Sequence, residues 1–267
     1  MKHIRHWFAT IAMLLCCITT SGHDLEADGI FYKILSAKDL TCEVTFRGDT
    51  YDEYSNEYTG IVQVPTTITY KNKTFAVSGV DENAFRDCGN LTKVVLPNSV
   101  TSIGKRAFEN CANLSDISLP NQLTCIEEGT FFGCTSLKTI SIPGSVERIC
   151  GFAFEGCNLT DIVIEDAVNA LHLEYGYWFD EMFPLPMSVS PTFTSSCINK
   201  IYIGRNLSFE EEVQSHDYPM PYIMIPFNGL RGANTTTSVV IGDKVTDIPD
   251  YLLSNLGLKP CNLLQLL

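Results

Sequence analysis

The sequence is short of charge, and of positive charge above all. Only 18% of its 267 residues are charged and 45% are hydrophobic, which is typical of a folded chain and excludes a disordered one. Lys and Arg number 18 against 31 Asp and Glu, so that the net charge is −13. Because phosphate groups are repelled by such a chain and no Lys/Arg cluster opposes the effect locally, we predict no binding to nucleic acid or to anionic membranes.

The sequence also lacks the short motifs of common enzyme and metal sites. It contains no H-E-x-x-H, no P-loop, no G-x-S-x-G and no dinucleotide-binding glycine pattern. Histidine is scarce after residue 22, with only His23, His172 and His216, and His172 with Glu174 is too isolated a pair to indicate a metal site. We therefore predict that the protein is not an enzyme and that it holds no catalytic residues, cofactor or metal ion.

Residues 1–22 are predicted to be a secretory signal peptide. Lys2 and Arg5 form a basic start, "WFATIAMLLCCI" is a short apolar run, and "TTSG" offers small residues for cleavage. The run is too short to span a bilayer, and no later stretch is long and apolar enough to do so. Lipid attachment at Cys16 or Cys17 is disfavoured because neither cysteine follows a small residue. The possibility of such an anchor is left open. We expect the protein outside the cell or at its surface.

The most informative feature is a repeat of 23 residues. "AFRDCGNLTKVVLPNSVTSIG", which begins at Ala84, returns from Ala107 as "AFENCANLSDISLPNQLTCIE". Three residue types recur at this interval and a fourth keeps step until its last copy falls one residue short: Phe85, Phe108, Phe131 and Phe154; Cys88, Cys111, Cys134 and Cys157; Pro97, Pro120 and Pro143; and Leu91, Leu114, Leu137 and Leu159. A fixed period of this size predicts a solenoid or another repeat array.

Each unit predicts two short extended segments and a turn. In "LTKVVLP" the apolar residues Leu91, Val94 and Leu96 can face one way, and Pro97 ends the strand because it has no N–H. "SVTSI" predicts a second extended piece, and "RAFENC" predicts a tight helical turn that buries its Phe and Cys. One unit cannot bury its own apolar face, so units are expected to stack at the strand spacing of about 4.8 Å.

The stack is predicted to continue beyond the regular copies, to about six units in all. Inward positions in the later units are assigned to Phe193, Ile198, Ile201, Ile203, Val239, Ile241, Val245, Ile248 and Leu253. "CNLLQLL" resembles the start of another strand and ends in mid-unit, which leaves open a truncated gene or a partner that covers the edge.

The cysteines fall into two groups, those that recur with the repeat and those that do not. Of 11 in the sequence, nine follow the signal peptide, and the four that recur with the repeat are predicted to form a buried ladder of free thiols. The other five lie off this column, and their spacing indicates no pairing: Cys42, Cys125, Cys150, Cys197 and Cys261.

The unit L-x-x-I-x-L-P-x-x-V-x-x-I-G-x-x-A-F-x-x-C resembles the BspA-like leucine-rich repeats of bacterial surface proteins. "DGIFYKI" resembles the N-terminal part of such proteins in Bacteroides-type bacteria, and the resemblance covers roughly residues 28–255. It implies a secreted or surface-attached protein for adhesion or protein binding, and it brings no catalytic residues. We predict a right-handed leucine-rich-repeat solenoid of β-rich α/β class, with 23-residue repeats and a small β-rich N-terminal cap.

Four segments are predicted along the chain. After the signal peptide, residues 23–76 form the cap, because "GIFYKIL", "CEVTF", "IVQVP" and "TITYKNKTFAV" read as strands and "YKNKTF" as a hairpin turn. Residues 77–168 carry the regular leucine-rich repeats. Residues 169–267 carry irregular repeats with long aromatic-rich insertions and an incomplete C-terminal unit.

Two features are candidates for binding. Outward strand positions are expected to form two columns on one exposed face, with Lys93 and Val95, Asp116 and Ser118, Thr139 and Ser141, Asp161 and Val163, and Lys200 and Tyr202. Insertions at 170–193 and 205–230 carry aromatic residues that either bind a partner or fold back and seal the solenoid. The predicted ligand-binding residues are Tyr175, Tyr177, Trp178, Phe179, Tyr202, Lys93, Asp116, Asp161 and Lys200.

The predicted function is non-catalytic binding of a host or neighbouring-cell extracellular protein, through the strand face and the inserted loops. Two alternatives stay open. The aromatic residues could stack on sugars in a glycan-binding module, or the protein could be a structural spacer in a surface assembly. For each outward residue taken singly, an inert solvated position is the competing interpretation.

Overall fold

In a computed structural model of the chain, successive repeats stack and their strands pair in parallel. The structure describes residues 22–180, 183–195, 198–209, 212–213, 222–223, 227–229, 238–249 and 252. The predicted signal peptide and the positions Leu253, Cys197 and Cys261 lie outside these residues, Gly22 excepted. No helix long and apolar enough to cross a membrane occurs in the described part of the chain.

The described strands are short, as the proline and glycine spacing requires. They are β1 (Leu25–Ala27), β2 (Ile30–Ser36), β3 (Thr41–Thr45), β4 (Gly60–Gln63), β5 (Thr67–Tyr70), β6 (Lys73–Val80), β7 (Leu91–Val95), β8 (Ser102–Ile103), β9 (Asp116–Ser118), β10 (Cys125–Ile126), β11 (Thr139–Ile142), β12 (Arg148–Ile149), β13 (Asp161–Ile164), β14 (Leu171–Leu173), β15 (Gly176–Asp180), β16 (Phe183–Ser190), β17 (Phe193–Ser195), β18 (Lys200–Ile203), β19 (Leu207–Phe209), β20 (Glu212–Val213), β21 (Tyr222–Ile223), β22 (Phe227–Gly229) and β23 (Ser238–Ile241).

Two sets of parallel strands form two sides of the stack. The first, whose outer surface we call the strand face, consists of β4-β7-β9 and β11-β13-β18-β23. The second, whose outer surface we call the second face, consists of the parallel run β3-β6-β8 and of β10-β12-β14-β19. Inward residues on both sides are buried, among them Val94 and Ile162 on the first and Ile126 and Ile149 on the second. The predicted inward positions of the regular strands are therefore confirmed.

The third side consists of turns, and here the prediction of a helical turn is wrong. The described residues contain no helix. Two positions in each repeat have positive φ, first Asn83, Arg106, Gly129 and Phe152, then Asp87, Asn110, Gly133 and Gly156. Left-handed residues at this spacing interrupt any right-handed helix. The α component of the predicted class is thus not found in the part of the chain that is described.

Hydrogen bonds in these turns alternate between neighbours in sequence and neighbours in the stack. The N–H of Phe108 donates to the carbonyl of Thr130 in the next repeat at 2.9 Å, and the N–H of Asn110 donates to Phe132 at 2.7 Å. Between them, the N–H of Glu109 donates back to Arg106 at 3.0 Å. Every second backbone N–H therefore donates to the next repeat, so that the turn side is also a ladder of hydrogen bonds between repeats.

A continuous stack of phenylalanine rings fills the centre. Successive ring centroids lie 5.0, 5.4, 5.4, 5.2 and 5.1 Å apart along Phe85, Phe108, Phe131, Phe154, Phe193 and Phe227, and all six rings are fully buried. The prediction that Phe193 occupies the Phe position is confirmed. Phe227 adds one more ring, and Tyr58 covers the first, with its centroid 4.6 Å from that of Phe85.

The predicted ladder of free thiols is also confirmed. Three of its four thiols donate to the carbonyl of a phenylalanine one repeat earlier: the Sγ of Cys111 lies 3.0 Å from the oxygen of Phe85, that of Cys134 lies 3.1 Å from Phe108, and that of Cys157 lies 3.1 Å from Phe131. These cysteines are buried and unbridged. Burial, the largest cause, raises the pKa of the Cys88 and Cys157 thiols to about 12.

The N-terminal strands continue the ladders of the repeats. The hairpin between β5 and β6 is confirmed, with positive φ at Lys71 and Asn72 as a two-residue turn requires. However, β3 pairs in parallel with β6, and β4 pairs in parallel with β7. Segment 23–76 is thus β-rich as predicted, while its role as a separate cap stays a prediction.

The later repeats keep the ladder despite their insertions. Ile198, Ile201 and Ile203 are buried as predicted, whereas Ile248 is 41% exposed. The insertions, expected as loops, contain the antiparallel pairs β15 with β16 and β20 with β21.

Truncation of a central ring should destabilise the whole stack. We expect Phe131→Ala to lower the free energy of unfolding by about 3–5 kcal/mol, because a fully buried ring with a stacked neighbour on each side is lost. Urea unfolding followed by circular dichroism measures this. Val168, which is 95% exposed, provides the control, and Val168→Ala should change stability by less than about 0.5 kcal/mol. Equal effects of the two substitutions would contradict the stacked core.

The four thiols of the ladder should react very slowly with alkylating reagents in the native protein. At about pH 8 we expect iodoacetamide to label Cys88, Cys111, Cys134 and Cys157 at least about a hundredfold more slowly than in the urea-unfolded chain, since only the thiolate reacts. Peptide mass spectrometry reads each position, and the partly exposed Cys125 serves as the internal reference. Native labelling of the ladder at the rate of Cys125 would show that these thiols are accessible.

Candidate functional site

Side chains along each strand point alternately inward and outward, so the strand face carries two columns of outward residues. Column one contains Ile61, Lys93, Asp116, Thr139, Asp161, Lys200 and Ser238, and column two contains Gln63, Val95, Ser118, Ser141, Val163, Tyr202 and Val240. Within each sheet these residues are aligned in register, for example Asp161 with Lys200 and Lys200 with Ser238. The spacing between neighbours in a column is that of parallel strands, about 4.8 Å.

The first part of this face is charged but internally paired. The Nζ of Lys93 lies 2.6 Å from the Oδ2 of Asp116, and both side chains are about half exposed. An exposed pair of this kind contributes little to stability, about 0–1 kcal/mol. Two of the predicted binding residues therefore largely neutralise each other.

The last part of column two is apolar. Val163, Tyr202 and Val240 are aligned in register on β13, β18 and β23, and we call them the apolar triplet. Val163 is 36% exposed and Val240 is 42% exposed. Single exposed aliphatic residues are ordinary on protein surfaces, whereas these residues are adjacent on one sheet and form a continuous apolar strip.

The central tyrosine of the triplet is held in place. Its hydroxyl donates to the Oδ1 of Asp166 at 2.6 Å. Two glycines leave room for this contact, since a Cβ on Gly242 would lie 2.6 Å from the Tyr202 hydroxyl and one on Gly204 would clash with the Asp166 carboxylate. The hydrogen bond to this carboxylate, together with its negative charge, raises the pKa of Tyr202.

Carboxylates border the triplet on both sides. Asp161 lies in column one and accepts a hydrogen bond from the Thr160 hydroxyl at 2.7 Å, while Lys200 is its neighbour in register. On the other side, Glu165 and Asp166 follow the end of β13, and the Oε1 of Glu165 accepts from the Ser141 hydroxyl at 2.8 Å. The patch thus combines an apolar strip, one ring and an acidic rim, which suits binding by contact.

The structure does not bring Tyr175 onto this face. It follows β14 on the second face and is buried, with 6% of its surface exposed. Tyr177, Trp178 and Phe179 belong to β15, but their side chains lie outside what the structure describes. Conversely, Val240 was not among the predicted binding residues. Its alternation with Val239 and Ile241 in "SVVI" is the signal that identifies it.

Comparison with known proteins identifies the repeat. Residues 65–177 match the family model of the BspA type leucine rich repeat region in six copies. No curated protein matches the chain significantly.

Several solved structures resemble the chain. A leucine-rich repeat protein from Bacteroides ovatus is 25% identical with a TM-score of 0.51, over 89% of this chain and 58% of that protein, so the chain spans little more than half of that relative. A T. pallidum leucine-rich repeat protein is 19% identical with a TM-score of 0.58, over 91% of this chain and 94% of that one. One from Bacteroides capillosus is 31% identical with a TM-score of 0.43, over 52% and 95%. The first two support the leucine-rich-repeat fold.

Without the carboxylate of Asp166 beside it, Tyr202 should lose its hydroxyl proton at a lower pH. In Asp166→Asn the phenolate no longer faces the charge of Asp166, so we expect the pKa of Tyr202 to fall towards its ordinary value of about 10. Ultraviolet absorbance titrations of the wild type and of Tyr202→Phe isolate this residue by difference, and the same difference is taken in the Asp166→Asn background. An unchanged pKa would contradict the hydrogen bond.

Proposed function

We propose that the chain, in which residues 65–177 match six copies of the BspA type leucine rich repeat region, is a non-catalytic binding module of this repeat class and acts outside the cell. The partner is an extracellular protein of a host or a neighbouring cell. Recognition occurs on the strand face and is centred on the apolar triplet. The flanking Asp161 and Lys200 complete the proposed surface, and the sequence pattern adds the insertion residues Tyr177, Trp178 and Phe179 as further candidates.

The single observation that supports this proposal is the alignment of Val163, Tyr202 and Val240. Buried aromatic and aliphatic anchors supply most of the affinity at protein interfaces. The Tyr202 ring is already ordered, because its hydroxyl is bonded to Asp166 and its strand is paired on both sides. The Tyr202 side chain would therefore lose little conformational entropy when a partner packs against its ring.

The charge of the protein favours a basic partner. The net charge is −13, and carboxylates of Asp161, Glu165 and Asp166 surround the triplet. A rim of Lys or Arg on the partner would meet this potential and accelerate encounter, an effect that falls as salt is added.

The remaining features of the proposal come from the sequence pattern. Residues 1–22 act as a cleaved signal peptide, supported by the basic start and the apolar run. The mature chain then consists of a β-rich cap over 23–76, regular repeats over 77–168 and irregular repeats over 169–267, wound in a right-handed solenoid.

A glycan is the second candidate ligand. Tyr202 offers a ring with the Asp166 carboxylate beside it, which is the combination that sugars use. The valines on both sides of the ring favour a protein, because sugar-binding sites place hydrogen-bonding groups in such positions. A role as a spacer requires no ligand at all.

Binding should depend on the triplet and not on the ion pair of Lys93 and Asp116. We expect the variant Val163→Thr/Tyr202→Ser/Val240→Thr to weaken binding at least about tenfold, since it keeps strand-forming residues but removes the apolar contacts. The wild-type mature chain is first applied to an array of extracellular-matrix proteins, serum proteins and glycans, and the affinity for each hit is then measured by surface plasmon resonance.

Two control variants make the result specific. Val168→Thr changes a valine that is more exposed than those of the triplet and lies outside both columns, and Lys93→Ala changes the paired end of the strand face. Both should bind as the wild type does. Equal binding by the triplet variant would contradict the proposed site, hits confined to glycans would favour the second candidate, and no hit from a folded sample would favour the spacer.

A further inference from the structure

Two cysteines and a glutamate converge on the second face. The Sγ atoms of Cys125 and Cys150 lie 3.7 Å apart, and the Sγ of Cys150 lies 4.0 Å from the Oε2 of Glu127. One donor atom from each of the three residues lies within 4.8 Å of those of the others. These residues belong neither to the thiol ladder nor to the strand face.

The parallel register explains why these side chains meet. Cys125 pairs with Arg148 and Ile126 pairs with Ile149, and the ladder extends one step further because the N–H of Cys150 donates to the carbonyl of Ile126 at 2.8 Å. The inward residues are Ile126 and Ile149, so the residues beside them point outward. Glu127 is therefore the direct neighbour of Cys150, and Cys125 is its diagonal neighbour.

The sulfur separation suits a bound cation and not a sulfur–sulfur bond. A disulfide requires about 2.05 Å between sulfurs and Cα atoms at most about 6.8 Å apart. Diagonal neighbours, one strand and two residues apart, have Cα atoms about 8 Å apart. Two sulfurs bound tetrahedrally at about 2.3 Å from one ion lie about 3.8 Å apart, which is close to the separation found.

We propose that Cys125, Cys150 and Glu127 bind a thiophilic divalent cation of the zinc class, with a fourth position open to solvent. Two sulfurs and one carboxylate are a donor set for zinc or cadmium, whereas magnesium and calcium take oxygen ligands. Cys125 is partly exposed, so an ion can enter from the surface.

The surroundings provide access and charge balance. Cys125 and Glu127 line one surface groove, and Glu127 and Cys150 line the next, so the three donors lie where the two grooves meet. The guanidinium of Arg148 lies in the same outward row as Cys125 and is 3.6 Å from the Oε1 of Glu174. Its positive charge is shared between Glu174 and the single negative charge that two thiolates, one carboxylate and a divalent ion leave.

A cadmium titration tests the site directly. Cadmium added to the fully reduced mature chain should produce a thiolate-to-metal charge-transfer band that saturates at one equivalent. Cys125→Ser/Cys150→Ser should abolish the band, and Glu127→Gln should raise the dissociation constant at least about tenfold. Glu128→Gln is the matched control, because this neighbouring carboxylate pairs with Lys105 and not with the cluster, and it should bind as the wild type does.

A second measurement needs no substitution. One equivalent of zinc should slow the reaction of Cys125 with iodoacetamide at least about tenfold in the folded wild-type chain, as read by peptide mass spectrometry. A saturable cadmium band that survives in the double cysteine variant, an absent band in the wild type, or an unchanged labelling rate would each overturn the proposal. None of these outcomes depends on the ligand of the strand face, so this proposal and the proposed function are tested separately.

Discussion

The structure depends on one constraint, that the apolar side chains of each repeat are buried only by the repeats on either side. Phe131 illustrates this, since its ring stacks on Phe108 at 5.4 Å and on Phe154 at 5.4 Å and has no exposed surface. The cysteines obey the same constraint, because three of the four thiols find their acceptor one repeat earlier. A single repeat would leave both groups without partners, so stability is a property of the array.

This constraint acts on inward positions alone, and that leaves the rest of the chain free to vary. The aligned residues Asp161 and Lys200 are separated by the whole first insertion, yet Phe154 and Phe193 still stack at 5.2 Å. Arg205 helps to close the repeat after the insertion, since its guanidinium donates to the carbonyls of Gly144 and Pro143, each at 2.9 Å. The ladder therefore accommodates long insertions provided that the next inward residue returns to its place.

The outward positions differ between the two faces, and so does the chemistry that each can support. On the strand face, Val163, Tyr202 and Val240 present apolar contact within an acidic rim, which suits a protein partner. On the second face, Cys125 and Cys150 present soft donor atoms next to a carboxylate, which suits a cation. Neither group contributes to the central column, so each can change without loss of the fold.

The sequence by itself determined the period, the inward residues, the thiol ladder, the hairpin at Lys71 and Asn72 and the place of Phe193, because these depend on local pattern and on a repeat that copies itself. Only the tertiary structure decided the rest. Positive φ at paired turn positions replaced the expected helical turn, and strand β4 joined the strand face. The contacts between outward side chains, such as that of Tyr202 with Asp166 and that of Cys125 with Cys150, were likewise decided by the tertiary structure. They depend on outward rotamers and on residues that are not at equivalent positions of the repeat, and the period encodes neither.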